Sequence, residues 1–335
     1  MGRAPRRHIL RRPSLGCRPA GSAASPRPPQ RPQPGERCLL HGQRGAQCGA
    51  SAAYRCGRSP LQGGGEVSAL NVPRLGVVQY LNAQPLVYSF AVNPPPGGVE
   101  AVRDVPSRLA QMLRDGRVDT AIISSIECFR GPNLVALPGV GICAKGRVLS
   151  IKLFTTRDLS AVRTVALDVG SRSAATLTRV LFAELFGAAP EFVTRPPDLD
   201  RMLAECDAAL LIGDAALRTV EPSIRVYDLG EVWLEFTGLP FVYALWVGRP
   251  GAFKDGLGRL LLEARDYGLA HLEEVARTEA ARLALDEELC RHYLCDIMRY
   301  HLGEEEVAGL RRFVELAGKH GLAPPVDRCA LDLAR

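Results

Sequence analysis

The chain has 335 residues, 47% of them hydrophobic and 23% charged, the proportions of an ordinary globular protein. Its net charge of +6 is unevenly placed: residues 1–71 hold twelve arginines, no lysine and only Glu36 and Glu66 as acids, while the remainder carries 30 basic against 34 acidic residues. The body is therefore slightly acidic, which excludes a nucleic-acid role founded on overall basicity, and no apolar run approaches the length of a membrane span.

Residues 1–72 are rich in Arg, Pro, Gly and Ser and show almost no hydrophobic periodicity. Such a segment cannot bury enough apolar surface to offset its ordering entropy, so a disordered extension is expected. The only apolar cluster near the start, His8-Ile9-Leu10, is too short for a secretory signal. The Arg-rich, acid-poor composition leaves a mitochondrial-type presequence open, although the prolines oppose an amphipathic helix. A start assigned too far upstream is a third reading, because Val72 directly precedes the folded pattern.

That pattern opens with LGVVQYL (75–81), a buried strand, and a short helix from Pro85. NPPPGG (93–98) is a turn, VEAVRDV (99–105) a strand, SRLAQMLRDG after Pro106 a helix closed by Gly116, and VDTAIIS (118–124) a third strand. Strand, helix and strand at this spacing form a right-handed parallel unit. LVALPGVGICA (134–144) and RVLSIKLFTT (147–156) are longer extended segments. A second strand–helix alternation follows: strands TVALDV (164–169), EFVTRPP (191–197), AALLIG (208–213) and RVYDLG (225–230), and helices SAATLTRVLFAELFG (173–187), LDRMLAE (199–205) and DAALRTV (214–220). LPFVYALWVG (239–248) is extended and apolar, and residues 251–321 read as almost wholly helical.

The expected architecture is α/β: a bilobed, periplasmic-binding-protein-like fold of the second type, with two βαβ lobes joined by two crossing strands and a helical C-terminus. The first lobe takes residues 73–149 with 249–321, the second residues 150–248, and residues 322–335 form a tail. Ligands of open α/β sheets bind beyond the carboxyl ends of the strands, here between the lobes.

Four strand-to-helix junctions carry polar residues: Tyr80 to Pro85, Ser124-Ser125-Ile126-Glu127, Gly170-Ser171-Arg172-Ser173-Ala174, and Gly213-Asp214. Helix N-termini hold carboxylates well, and small residues let a ligand approach the backbone. Singly, such residues are ordinary N-caps; converging on one cleft, they favour an anionic ligand. Tyr80, Ser124, Ser125, Ser171, Arg172, Ser173 and Ala174 are the candidate substrate-binding positions. Asp214 reads instead as a buried N-cap, since its charge would repel an anion. Ser150 interrupts the first apolar crossing and is either a tolerated small residue or a hydroxyl facing the ligand.

All six histidines lie outside residues 42–270, so a histidine triad or histidine-ligated metal in this cleft is not expected. No phosphate-binding glycine loop is present, and Trp233 and Trp246 read as core. The ten cysteines show no C-x-x-C pair, so reduced cytoplasmic thiols are expected rather than a zinc site.

LGVVQYLNAQPL, VDTAIISSIE, RVLSIKLFTT, VALDVGSRSAATLTRVLF, PPDLDRML, AALLIGDAAL and YDLGEVWLEFTGLPFVYALW follow one another in an order that resembles the chorismate dehydratases of the futalosine pathway to menaquinone, over about residues 74–320. The resemblance implies a hydro-lyase that converts chorismate to 3-[(1-carboxyvinyl)oxy]benzoate and water, with no cofactor or metal and no nucleic-acid or membrane partner. It carries the key polar pocket roles to Asn82 and Ser150 as catalytic residues. The pocket motifs offer amides and hydroxyls but no evident base, and Glu127 lies about a turn inside its helix, so the substrate's own enolpyruvyl carboxylate is expected to take the proton. Three rival readings of the fold each demand a further feature. A solute-binding protein would need a signal or lipoprotein cysteine, the naphthoate-forming enzyme of the same pathway a cleft histidine, and a ligand-sensing regulator an attached helix-turn-helix.

Overall fold

Parallel strands flanked by helices begin the first sheet. The computed structural model describes residues 72–325 apart from Pro132, Glu221 and Pro222; expectations for residues 1–71 and 326–335 lie outside the described residues. Strands β1 (Arg74–Val78), β2 (Glu100–Asp104) and β3 (Thr120–Ser124) run parallel, with β1 between its two partners. All five residues of β3 are buried, as befits a strand covered on both faces. β4 (Val135–Ala144) continues the chain in the same sheet.

The second sheet comprises β5 (Ile151–Thr155), β6 (Thr164–Asp168), β7 (Glu191–Arg195), β8 (Ala208–Ile212) and β9 (Arg225–Asp228), in the order β7-β6-β8-β5-β9. β6 is parallel to β7 and β8, and β5 is antiparallel to β8 and β9. The chain then returns through β10 (Phe241–Gly248), inserted antiparallel between β3 and β4, and β11 (Met298–Leu302) closes the first sheet on the far side of β4. These two mixed sheets with their helices make the bilobed α/β architecture.

Three details differ from the sequence reading. β11 falls inside the stretch read as almost wholly helical. Its residues alternate buried and exposed, with Met298, Tyr300 and Leu302 inward, as on an edge strand, but five residues between helices are too few for period two to stand out. Leu229–Thr237 is a helix that the reading passed over, capped by Asp228 and ended by Gly238 in the left-handed region at φ 73°. Third, β5 and β10 each belong to one sheet, so neither strand itself crosses. The links are the short segment 145–150 and the helix Leu229–Thr237 with its exit.

Trp233 and Trp246 are fully buried, as expected of core residues. Trp233 donates its indole N–H to Pro240 O at 3.2 Å, and its ring meets Phe241 and Phe313 edge-on. The phenol of buried Tyr300, by contrast, has no hydrogen-bond partner among the described residues. An unpaired buried hydroxyl carries a desolvation penalty of about 1–3 kcal/mol. Tyr300→Phe is therefore expected to leave the urea midpoint unchanged or raise it, and a clear fall would show that the hydroxyl has a partner after all.

Candidate active site

The chain leaves β1 at Val78 and turns through Gln79 and Tyr80 into a 3-10 helix, Leu81–Leu86. Three contacts hold this short element. The Leu81 N–H donates to Asp214 Oδ1 at 3.0 Å, the Gln84 amide donates back to Tyr80 O at 3.1 Å, and helix Leu257–Ala270 rests directly on its backbone at Gly268. A Cβ at Gly268 would stand 1.7 Å from Pro85 O. The element that carries Asn82 is thus fixed from both lobes. Asp214 does not cap its own helix: that helix starts at Gly213, which places Asp214 inside the first turn with its carboxylate turned to the other lobe.

Ser150 stands one residue before β5 and is 1% exposed. Its N–H donates to Val148 O at 2.7 Å, an i→i+2 turn whose central residue, Leu149, has φ 61°. A leucine there is strained, and such strain persists only where the surroundings over-determine it. Asp228 supplies the constraint. Its carboxylate accepts the N–H of Val148 at 3.0 Å and of Leu149 at 2.7 Å, while also capping Gly230 and Glu231 at 3.0 and 3.2 Å. The Ser150 carbonyl accepts the Gly213 N–H at 2.8 Å, which ties the turn to the end of β8.

Asn82 and Ser150 meet on a third residue. The phenol of Tyr293, fully buried, donates to Ser150 Oγ at 2.8 Å, and the Asn82 side chain lies beside the same phenol. The sequence reading missed Tyr293. It sits in an amphipathic helical stretch where a tyrosine reads as core, and its polar tip was the only signal available.

The other candidate positions form a seam between the lobes. Ser124 Oγ accepts the Arg172 N–H at 3.2 Å, Ser125 Oγ lies 3.0 Å from Ser173 Oγ, and Ser173 Oγ accepts the Ile126 N–H at 3.2 Å. Ser171 caps helix Arg172–Leu181 by accepting the Ala174 N–H at 3.2 Å. The capping and the convergence weighed from sequence therefore coexist: the donors at this helix start engage protein hydroxyls across the seam. Arg172 directs its guanidinium away to Glu127, which is fully buried and also pairs with Arg114 and Arg130. Glu127 is thereby an anchor of three arginines.

Tyr80 bridges the two groups. Its ring packs on Gly213, itself at φ 59°, where a Cβ would lie 2.7 Å away, and its phenol oxygen faces Gly170, where a Cβ would lie 2.5 Å away. Burial, with Asp168 and Asp214 close by, pushes the Tyr80 phenol well up, so it stays protonated. Asp168 accepts the Gly170 N–H at 2.7 Å and the Ile212 N–H at 3.2 Å. Burial nonetheless pushes its carboxyl up to about 6, against the lowering effect of those two bonds. Two surface depressions, around Arg157 and Arg163 and around His271 and Arg277, contain none of these residues.

The sequence profile of a family described as Menaquinone biosynthesis matches residues 73–319, from the first strand to the last helix. The chain belongs to this menaquinone-biosynthesis family. Two similar proteins are the chorismate dehydratase of Thermus thermophilus, 33% identical over 263 residues (73% of this chain, 94% of the relative), and that of Campylobacter jejuni, 30% identical over 258 residues (74% and 99%). Among solved structures, the alkanesulfonate-binding protein of Xanthomonas axonopodis pv. citri bound to MOPS superposes with TM-score 0.59 at 13% identity, covering 77% of this chain and 96% of that one. The periplasmic aliphatic sulphonate binding protein of Escherichia coli gives 0.55 at 18%, covering 76% and 89%. Those two likenesses establish the periplasmic-binding-protein-like fold of this family member and nothing about its ligand. No helix among the described residues is long and apolar enough to cross a membrane.

Proposed function

We propose that this protein is a chorismate dehydratase: it removes the C4 hydroxyl and C3 proton of chorismate as water and releases 3-[(1-carboxyvinyl)oxy]benzoate. Its family and curated relatives support the reaction. The observation that carries the assignment of residues is the meeting of Asn82 and Ser150, from opposite lobes, on one buried phenol. A cytoplasmic place of work goes with this reading, since Cys143, Cys206, Cys290 and Cys295 are thiols.

In this reading the substrate's carboxylates are taken at the seam of Ser124, Ser125 and Ser171 to Ala174, where they replace the bonds that join the two sides, with Tyr80 beside them. Its ring lies against Asn82 and Ser150. Aromatisation drives the elimination, so the protein needs to hold the reacting geometry, exclude water and hydrogen-bond the departing hydroxyl. Ser150 donates to that hydroxyl, and Asn82 orients the enolpyruvyl arm so that its carboxylate takes the C3 proton. The proton and the departing hydroxide leave together as water.

Incubation with chorismate is expected to yield an aromatic product lighter by one water; recovery of unchanged chorismate bound to the protein would instead support a solute-binding role. The pH profile separates substrate-assisted proton removal from an enzyme base. Were Asp168 the base, turnover would fall as pH drops through about 6, because the base must be ionised. With the substrate carboxylate as base, turnover holds until the pH approaches ordinary carboxylate values near about 4.

A further inference from the structure

Asn82 and Ser150 are short side chains on separate elements, and a serine hydroxyl rotates unless something fixes it. We propose that Tyr293 is a positioning residue for the dehydration, which makes Ser150 a one-way hydrogen-bond donor into the cleft. The inference rests on the dehydratase reading and deepens it.

A serine hydroxyl has one proton and two lone pairs. The phenol proton of Tyr293 occupies one lone pair of Ser150 Oγ at 2.8 Å. The Ser150 N–H is committed to Val148 O, and its carbonyl accepts the Gly213 N–H. What stays uncommitted is the hydroxyl proton, which cannot point back along the bond from the phenol. It is left free to donate to another group, as a departing hydroxyl requires. The Asn82 side chain lies beside the same phenol, so one ring backs both residues.

The surroundings keep that arrangement in a single state. Tyr293 begins a π-helical turn, Tyr293–Ile297, at the end of helix Glu287–His292, and such turns insert an extra residue that shifts a side chain out of helical register. Burial pushes the Tyr293 phenol well above its ordinary value, so it remains a donor at every working pH. The adjacent phenols of Tyr243 and Tyr300 have no hydrogen-bond partner among the described residues and do not compete for Ser150.

Tyr293→Phe keeps the ring and removes only the hydroxyl. Its kcat on chorismate is expected to fall about 10- to 100-fold with KM within about three-fold of wild type, in the range found when a supporting hydrogen bond is lost. The second measurement is a double-mutant cycle: in a Ser150→Ala background the same change should cost less than two-fold, because there is no hydroxyl left to orient. Undiminished turnover by Tyr293→Phe beside an active wild type overturns the inference alone. So does an effect confined to KM, or penalties that multiply in the double variant. A wild-type enzyme that makes no product overturns the dehydratase reading and this inference with it.

Discussion

Ser150→Ala is expected to lower kcat on chorismate about 10²- to 10³-fold, the usual loss when one donor aimed at developing charge is removed from a closed site. The departing hydroxyl carries negative charge as its bond to C4 breaks, and Ser150 is the group whose proton is uncommitted. Because Ser150 is 1% exposed, that donor acts where water does not compete. Asn82→Ala removes the amide that orients the enolpyruvyl arm and is expected to cost a similar factor, since a proton acceptor misplaced by an ångström loses most of its advantage. Stability should move little in comparison. Ser150→Ala strands the Tyr293 phenol, worth about 1–2 kcal/mol, while Asn82 is only half-buried. Steady-state kinetics on the aromatic product, read beside urea unfolding, separates the two effects. If both variants turn over within about three-fold of wild type, the assignment of these residues is wrong.

Much of the fold could be read in the sequence because its strands are short apolar runs separated by helices with clear period and clear caps. Ile122 and Ile123 in β3, Leu210 and Leu211 in β8, and Ser171 and Asp198 at helix starts signal their roles locally. What escaped depends on contacts distant in sequence. β11 is a strand only because β4 offers it an edge. Asp214 was read against its own helix, whereas its partner is the Leu81 N–H, 133 residues away. Tyr293 was invisible for the same reason: 143 residues separate it from Ser150. Ser150 stands out by its place in an apolar crossing and Asn82 by its polar junction, but their catalytic roles come through resemblance, and the spacing of residues could not have shown that they share a phenol.

Asp228 shows how a residue remote from the chemistry sets its geometry. Its carboxylate receives the N–H groups of Val148, Leu149, Gly230 and Glu231, so it both starts the helix of the return link and shapes the turn of the outward link. Burial pushes its carboxyl up even so, which means that ionisation there opposes folding at neutral pH and offsets part of what the four bonds contribute. Asp228→Ala relieves that penalty but leaves four N–H groups without an acceptor, two of them beside the strained Leu149. Each stranded donor costs about 1–3 kcal/mol, so a net loss of about 3–5 kcal/mol is expected after the offset. Leu149 then has no reason to keep φ 61°, and Ser150 swings away from Tyr293. The folded fraction of Asp228→Ala should accordingly lose at least as much turnover per active molecule as Ser150→Ala. Asp228→Asn, which keeps one carbonyl oxygen for the turn, should recover part of both stability and kcat. A variant with alanine at this position that unfolds at the wild-type urea concentration, or that keeps its kcat, would show that the turn holds Ser150 without Asp228.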